Sequence, residues 1–200
     1  MYSAATNEVL AEKFMNATGL SRLTGQLALL LIGVLALIGG AKASVPLWPV
    51  PMTMGTFSVL VIGAAYGPRL GGVTLGVYLF LGAIGLDVFA GSSAESSGLR
   101  YMVGNTGGYL IGYALAIIIL GCLARKGWDR SPWLMACAMA IGNVLIYLPG
   151  LAWLGFLHGW DKPILQWGLV PFLPGDVLKL ALASLTLPAI WRLVDKARGQ

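Results

Sequence analysis

Nearly all of the charge in this 200-residue chain falls between its long apolar stretches. Those stretches span 23–41, 52–67, 70–86, 104–124, 132–157 and 168–192. A helix needs about 20 mostly apolar residues to cross the hydrocarbon layer of a bilayer. Inside that layer every backbone N–H and C=O must be paired within the protein, which leaves helices or a closed barrel. The stretches are too long and too evenly apolar for barrel strands, whose residues alternate. The pattern therefore predicts an all-α integral membrane protein with six transmembrane helices in one compact bundle. It forms a single domain over 1–200, with a polar or weakly amphipathic lead-in over 1–22 suited to the membrane surface. Arg69 alone parts the second stretch from the third, beside Gly67-Pro68, a pair that favours a tight turn.

The connections differ in character. Val45-Pro-Leu-Trp-Pro-Val-Pro51 excludes a regular helix and should run extended, with Trp48 as an interfacial anchor. The segment from Asp87 to Val103, with a serine-rich centre, is the longest polar connection, and long loops in a minimal bundle are usually functional. A third loop on the same side runs from His158 to Gln166. The connections on the opposite side are short and basic. Elaborate loops on one side suggest an opening there. Gly67-x3-Gly71, Gly72-x3-Gly76, Gly108-x3-Gly112 and Ala36-x3-Gly40 are small-residue spacings that let helices approach closely in lipid. Packing within the chain is the plainer reading, and docking to a membrane partner the alternative. No internal repeat is visible, which weighs against an inverted-repeat carrier.

Composition sharpens this picture. Residues are 58% hydrophobic and 10% charged, against about 25% charged in a soluble domain. The net charge of +5 is unevenly placed. Lys13, Arg22, Arg69, Arg125, Lys126, Arg130, Arg192, Lys196 and Arg198 fall on the side of the N-terminus, with Lys42, Arg100 and Lys162 opposite. Positive residues favour the cytoplasmic face, so both termini are expected in the cytoplasm of a multi-pass protein. No basic surface interleaved with aromatics points to nucleic acid. Cys122 and Cys137 lack metal or redox spacing and read as buried structural thiols. Ala41-Lys42-Ala43 resembles a signal-peptide cleavage site, but Glu8 and Glu12 do not suit the basic region that precedes one.

The candidate chemistry is concentrated in the last apolar stretch. Asp176 and Lys179 lie about 60° apart around a helix. An isolated charge near the bilayer centre costs roughly 2.5–3.5 kcal/mol, and an opposite charge three residues away offsets it. The pair is either a structural ion pair or a polar handle at the floor of an outward cavity. Pro174-Gly175 just before it should disrupt the first turn and free backbone groups. Gly104-Asn-Thr-Gly-Gly-Tyr109 opens the fourth stretch, where glycines would let a ligand approach unpaired helix N–H groups. Arg100 beside it could meet an anion or simply sit at the interface. There is no phosphate-binding Gly-x4-Gly-Lys-Ser/Thr loop and no Gly-x-Ser-x-Gly elbow. His158 is the only histidine, and no metal-ligand cluster is legible.

Four short segments occur in order: Val50-Pro51-Met52-Thr53; Gly82-Ala-Ile-Gly85-Leu with Val88-Phe89-Ala90-Gly91; Gly104-x-Thr106-Gly107-Gly108-Tyr109; and Gly175-Asp176-x2-Lys179. Together with six apolar spans they resemble the BioY family, the biotin-binding substrate-capture (S) subunits of energy-coupling factor transporters. Asp87 and Asn105 depart from it, standing where proline is expected in many members. The resemblance implies a six-helix S-component fold and an outward pocket for biotin, with no catalytic residue, no metal and no cofactor. It also implies partnership with a transmembrane scaffold subunit and two ATPase subunits in a bacterial inner membrane. Asp176 would accept from the ureido N–H groups, and Lys179 would donate to the ureido carbonyl or pair with Asp176. Phe89 and Tyr109 would pack on the ring system, while Asn105, Thr106, Gly91 and Gly107 would offer hydrogen bonds. Arg100 would meet the valerate carboxylate. Ala36 and Gly40 are candidate contacts with the scaffold. The rival readings are a carrier for another small vitamin, an intramembrane enzyme, and a purely structural subunit.

Overall fold

The structure, a computed structural model, describes residues 8–18, 21–92 and 97–197. The serine-rich centre of the outer connection (93–96) and Arg198 lie outside them, as does the start of the lead-in. The described chain is overwhelmingly helical: α1 Leu10–Thr18, α2 Arg22–Lys42, α3 Gly55–Ala83, α4 Gly98–Met102, α5 Gly107–Arg125, α6 Pro132–His158, α7 Ile164–Gly168 and α8 Leu173–Ala197. Five helical stretches are long and apolar enough to cross a membrane, four being α2, α3, α5 and α6, and the fifth running from Ile164 to Lys196. A two-residue antiparallel ladder joins β1 Ser44–Val45 to β2 Met52–Thr53; the proline-rich link between them is non-helical, as its sequence requires, but bends at Trp48, Pro49 and Val50 and reverses direction instead of running extended.

The second and third apolar stretches both lie in α3, which a kink divides into two helices. Gly67 breaks it from within, with φ 74° and ψ 177°, a left-handed backbone that glycine adopts without a Cβ penalty. Pro68 follows, where a missing N–H costs nothing in a first turn. A side chain at Gly71 would sit 3.8 Å from the Gly63 Cα and 3.5 Å from the Ile62 carbonyl. Residues eight apart on a straight helix are about 12 Å apart along its axis. The two halves of α3 therefore fold back alongside each other, and the turn read from Gly67-Pro68 is where the helix breaks.

Glycines set the helix spacing. Gly108 and Gly112 of α5 lie directly against α6, and a Cβ on Gly112 would stand 2.6 Å from the Ile146 Cα and 2.9 Å from the Leu145 carbonyl. Within lipid such backbone approach replaces the hydrophobic drive that water supplies elsewhere. Gly72 and Gly76 face open space and pack against nothing in the described chain. Cys122 and Cys137 are free and exposed on the outer helix surfaces, not buried. The burial expectation failed because apolar surroundings in this chain include the membrane side. Pro174 lies in the first turn of α8, which starts at Leu173, so it opens the helix instead of disrupting it.

Both ends of the chain meet at one end of the bundle. The α1 helix is held there rather than lying loose: Val9 is fully buried, Glu12 pairs with Arg125 at 2.6 Å, and Lys13 pairs with Asp195. Arg130 lies 4.3 Å over the Trp191 ring, whose N–H donates to the Asp129 carboxylate at 2.6 Å. Burial pushes the Asp129 carboxyl up to about 6, against the Trp191 hydrogen bond that favours its anion. An unfolded aspartate titrates near 3.9 (about), so between these values the folded chain binds the extra proton. Stability contributed at this position is therefore present at low pH and is lost as pH rises through about 4 to 6. Asp129→Asn is expected to flatten that fall in the thermal midpoint of detergent-solubilised protein; an unchanged slope would assign it to other groups.

Candidate functional site

The opposite end of the bundle holds a narrow cavity. Its walls come from the end of α2, the β1–β2 link, both ends of α3, and the starts of α5 and α8. They border about 590 Å³ of empty space, open solvent at the mouth included, of which about 60 Å³ can hold the centre of a water-sized sphere. The lining is mainly aromatic. Phe89 stacks on Tyr101 with centroids 4.8 Å apart and meets Tyr78 edge-on at 5.4 Å. Gly82 makes this possible, since any side chain there would overlap the Phe89 ring. Tyr109, Tyr113, Tyr147 and Phe172 complete the wall.

Asp176 and Lys179 line the same cavity, one turn apart on α8, and are only 5% and 8% exposed. The Lys179 ammonium donates to Asp176 Oδ1 at 3.1 Å, to the Thr53 carbonyl at 2.8 Å and to Thr56 Oγ1 at 3.0 Å. Its three protons are thus accounted for, and it fastens β2 and the start of α3 to α8. The other carboxylate oxygen of Asp176 accepts from the Tyr147 hydroxyl. Each carboxylate oxygen keeps acceptor capacity, because the group offers about four lone-pair sites. A buried charge pair bordering a cavity can accept from a small polar molecule through Asp176, and donates to it only when Lys179 gives up one of its present bonds.

A second hollow sits outside the first and shares Pro51, Ala90, Tyr101 and Thr106 with it. Arg100, Asn105 and Gly91 line this vestibule. Of the residues singled out from sequence, Asp176, Lys179, Phe89, Tyr109 and Thr106 are brought together in the inner cavity. Asn105 is engaged by protein: its side-chain N–H donates to the Pro49 carbonyl at 3.2 Å, and its oxygen faces His158 Nε2 at 3.0 Å. It ties three outer connections together, with Trp48, His158 and Trp167 packed edge to face beside it. Gly107 lines neither hollow. Its missing side chain admits the Met102 carbonyl and the Trp153 ring, so Gly107 serves helix packing, while Gly104 lines the vestibule. Gly40 faces Ser58 of α3, which leaves Ala36 exposed without it.

Sequence reasoning missed Tyr78, Tyr101, Tyr113, Tyr147, Thr53 and Thr56, all in the inner cavity. Tyr109 and Tyr113 share a helix face at i,i+4, the one signal that was available. At the mouth, Lys42 pairs with Asp87 at 2.5 Å, with Ser92 bonded to the same oxygen. These contacts, that with Lys42 foremost, hold the Asp87 carboxyl below its usual range.

The BioY family model matches residues 11–196. The probable biotin transporter BioY of Pyrococcus horikoshii is 37% identical over 144 residues, covering 72% of this chain and 82% of the relative. The biotin transporter BioY of Thermotoga maritima is 36% identical over 149 residues, covering 74% and 85%. The fold matches a crystal structure of the S-component for biotin from an ECF-type ABC transporter, with TM-score 0.68 and 22% identity, covering 90% of this chain and 95% of that one. On the family match and these relatives, the chain belongs to the BioY family.

Proposed function

We propose that this chain captures biotin from outside a bacterial inner membrane, as the S subunit of an energy-coupling factor transporter. The observation that carries the reading is the buried Asp176–Lys179 pair on the wall of a narrow aromatic cavity, in a chain related to biotin transporters. Biotin has a ureido ring with two N–H donors and one carbonyl, an apolar thiophane ring and a carboxylate tail. Asp176 accepts from a ureido N–H, and Lys179 turns one proton from Thr56 to the carbonyl. Phe89, Tyr78 and Tyr109 sandwich the apolar ring. The tail extends into the vestibule toward Arg100, with Thr106 at the junction. A site of this kind discriminates strongly, because an analogue lacking the polar groups leaves buried partners unpaired.

On the same reading α3 crosses the membrane twice, giving six spans with both termini in the cytoplasm. A scaffold subunit and two ATPase subunits supply the energy. Ala36 and Gly39, both exposed on α2, offer the scaffold a smooth patch in place of the Ala36 and Gly40 combination.

Calorimetry on the purified chain tests this. One biotin should bind per chain and be recovered chemically unchanged, with no binding of thiamine or riboflavin. Binding of either vitamin in place of biotin would refute the substrate assignment. Arg100→Gln should weaken biotin by up to about fivefold, the range of an exposed ion pair, and leave biotin methyl ester unaffected. Equal losses for both ligands would remove Arg100 from the carboxylate.

A further inference from the structure

A larger, open hollow lies at the other end of the bundle, among α1, α2 and α3, with about 1,010 Å³ of empty space, open solvent included. Arg22 at the start of α2, Arg69 beside the α3 kink and Arg125 at the end of α5 all line it. Glu12 is the single acidic residue in its lining, and that carboxylate is already held by Arg125 at 2.6 Å. Arg22 and Arg69 are exposed and make no ion pair among the described residues. Two helix starts converge on the same place, because α2 begins at Arg22 and the second half of α3 restarts after Gly67-Pro68. Each adds partial positive charge where an anion would sit. Above the arginines the wall is apolar. Leu23, Leu27 and Leu30 recur at helical spacing up α2, and Val73 faces them from α3. Leu23 and Leu27 are 67% and 56% exposed.

Two guanidiniums, Arg22 and Arg69, under an apolar stripe that climbs into the membrane have the amphipathic shape of one ligand class. The geometry points to a binding site for an anionic phospholipid of the leaflet on the side of the chain termini. Its phosphodiester lies between Arg22 and Arg69, and one acyl chain runs along Leu23, Leu27 and Leu30. Basic pockets between membrane helices hold lipid headgroups by this logic. Inorganic phosphate shares the charge but would leave the leucine stripe bare. This site is separate from the outer cavity and does not depend on what that cavity binds.

The test is native mass spectrometry of the full chain, delipidated in detergent and titrated with short-chain phosphatidylglycerol. Phosphatidylcholine and inorganic phosphate serve as separate probes. One phosphatidylglycerol should be retained, with neither other probe matching it. Arg22→Gln/Arg69→Gln should weaken it about thirtyfold, about fivefold per arginine, with biotin binding unchanged. The charge-retaining Arg22→Lys/Arg69→Lys variant guards against misfolding and should keep most of the affinity. Equal retention of phosphatidylcholine would overturn the proposal, as would protection by phosphate alone. So would an equal loss in Lys126→Gln/Arg192→Gln, which removes charge from the same end outside the hollow.

Discussion

Lys179→Met is expected to weaken biotin capture by at least a hundredfold while the chain still inserts and folds. Removing one member of a buried ion pair leaves the other charge uncompensated, at a cost of about 3–5 kcal/mol. Asp176 would keep only the Tyr147 hydroxyl. The substitution also frees the Thr53 carbonyl and Thr56 hydroxyl that the ammonium now holds. Asp176→Asn should lose affinity too, with Lys179 still anchored at Thr53 and Thr56. The double variant separates the two roles of the pair: removing both charges should recover stability and leave binding lost. Calorimetry gives the affinity and thermal unfolding in detergent gives the stability. Wild-type affinity in both single variants would make the pair a purely structural bridge.

Gly112→Val should be strongly damaging although it touches no ionisable group. Its Cβ would meet the Ile146 Cα and the Leu145 carbonyl, and backbone cannot swing aside as a flexible side chain does. The α5 and α6 helices must then part, at a cost of about 3 kcal/mol or more. The loss should reach the ligand as well, because Tyr109 and Tyr113 stand on α5 and Tyr147 on α6. Gly76→Ala is the matched control. It faces open space, and alanine favours a helix over glycine by about 1 kcal/mol. A lower thermal midpoint and weaker biotin binding are expected for the first, and neither for the second. Equal behaviour would show that the close approach of these helices contributes little.

Much of the helical framework was legible because lipid allows few alternatives. Charge-free length marks crossings, and paired backbone demands helices. The turn at Gly67-Pro68 was readable from two residues whose backbone preferences conflict with a straight helix. Asp176 and Lys179 were conspicuous because charge within an apolar stretch needs a reason. The rest of the cavity was not readable in this way. Tyrosine is common both in membrane cores and at interfaces, so nothing in the local sequence of Tyr78 or Tyr147 says which way the ring turns. Gly107 was ambiguous, because a glycine at a helix start suits a ligand and a neighbouring backbone equally. The cysteines misled because, in a membrane bundle, an apolar stretch has an outside that is as apolar as its inside. The ion pairs that gather α1 under the bundle join residues more than 100 positions apart, and no local pattern announces such contacts.

That arrangement of α1 bears on how the protein can be handled. Val9 is fully buried beside Gly67, and Glu12 and Lys13 are tethered on either side. A change that displaced Val9 would uncover the hinge of α3 at Gly67. Trimming the chain back to the first membrane span would strip away the buttress and expose Arg125 and Asp195 without their present counterparts.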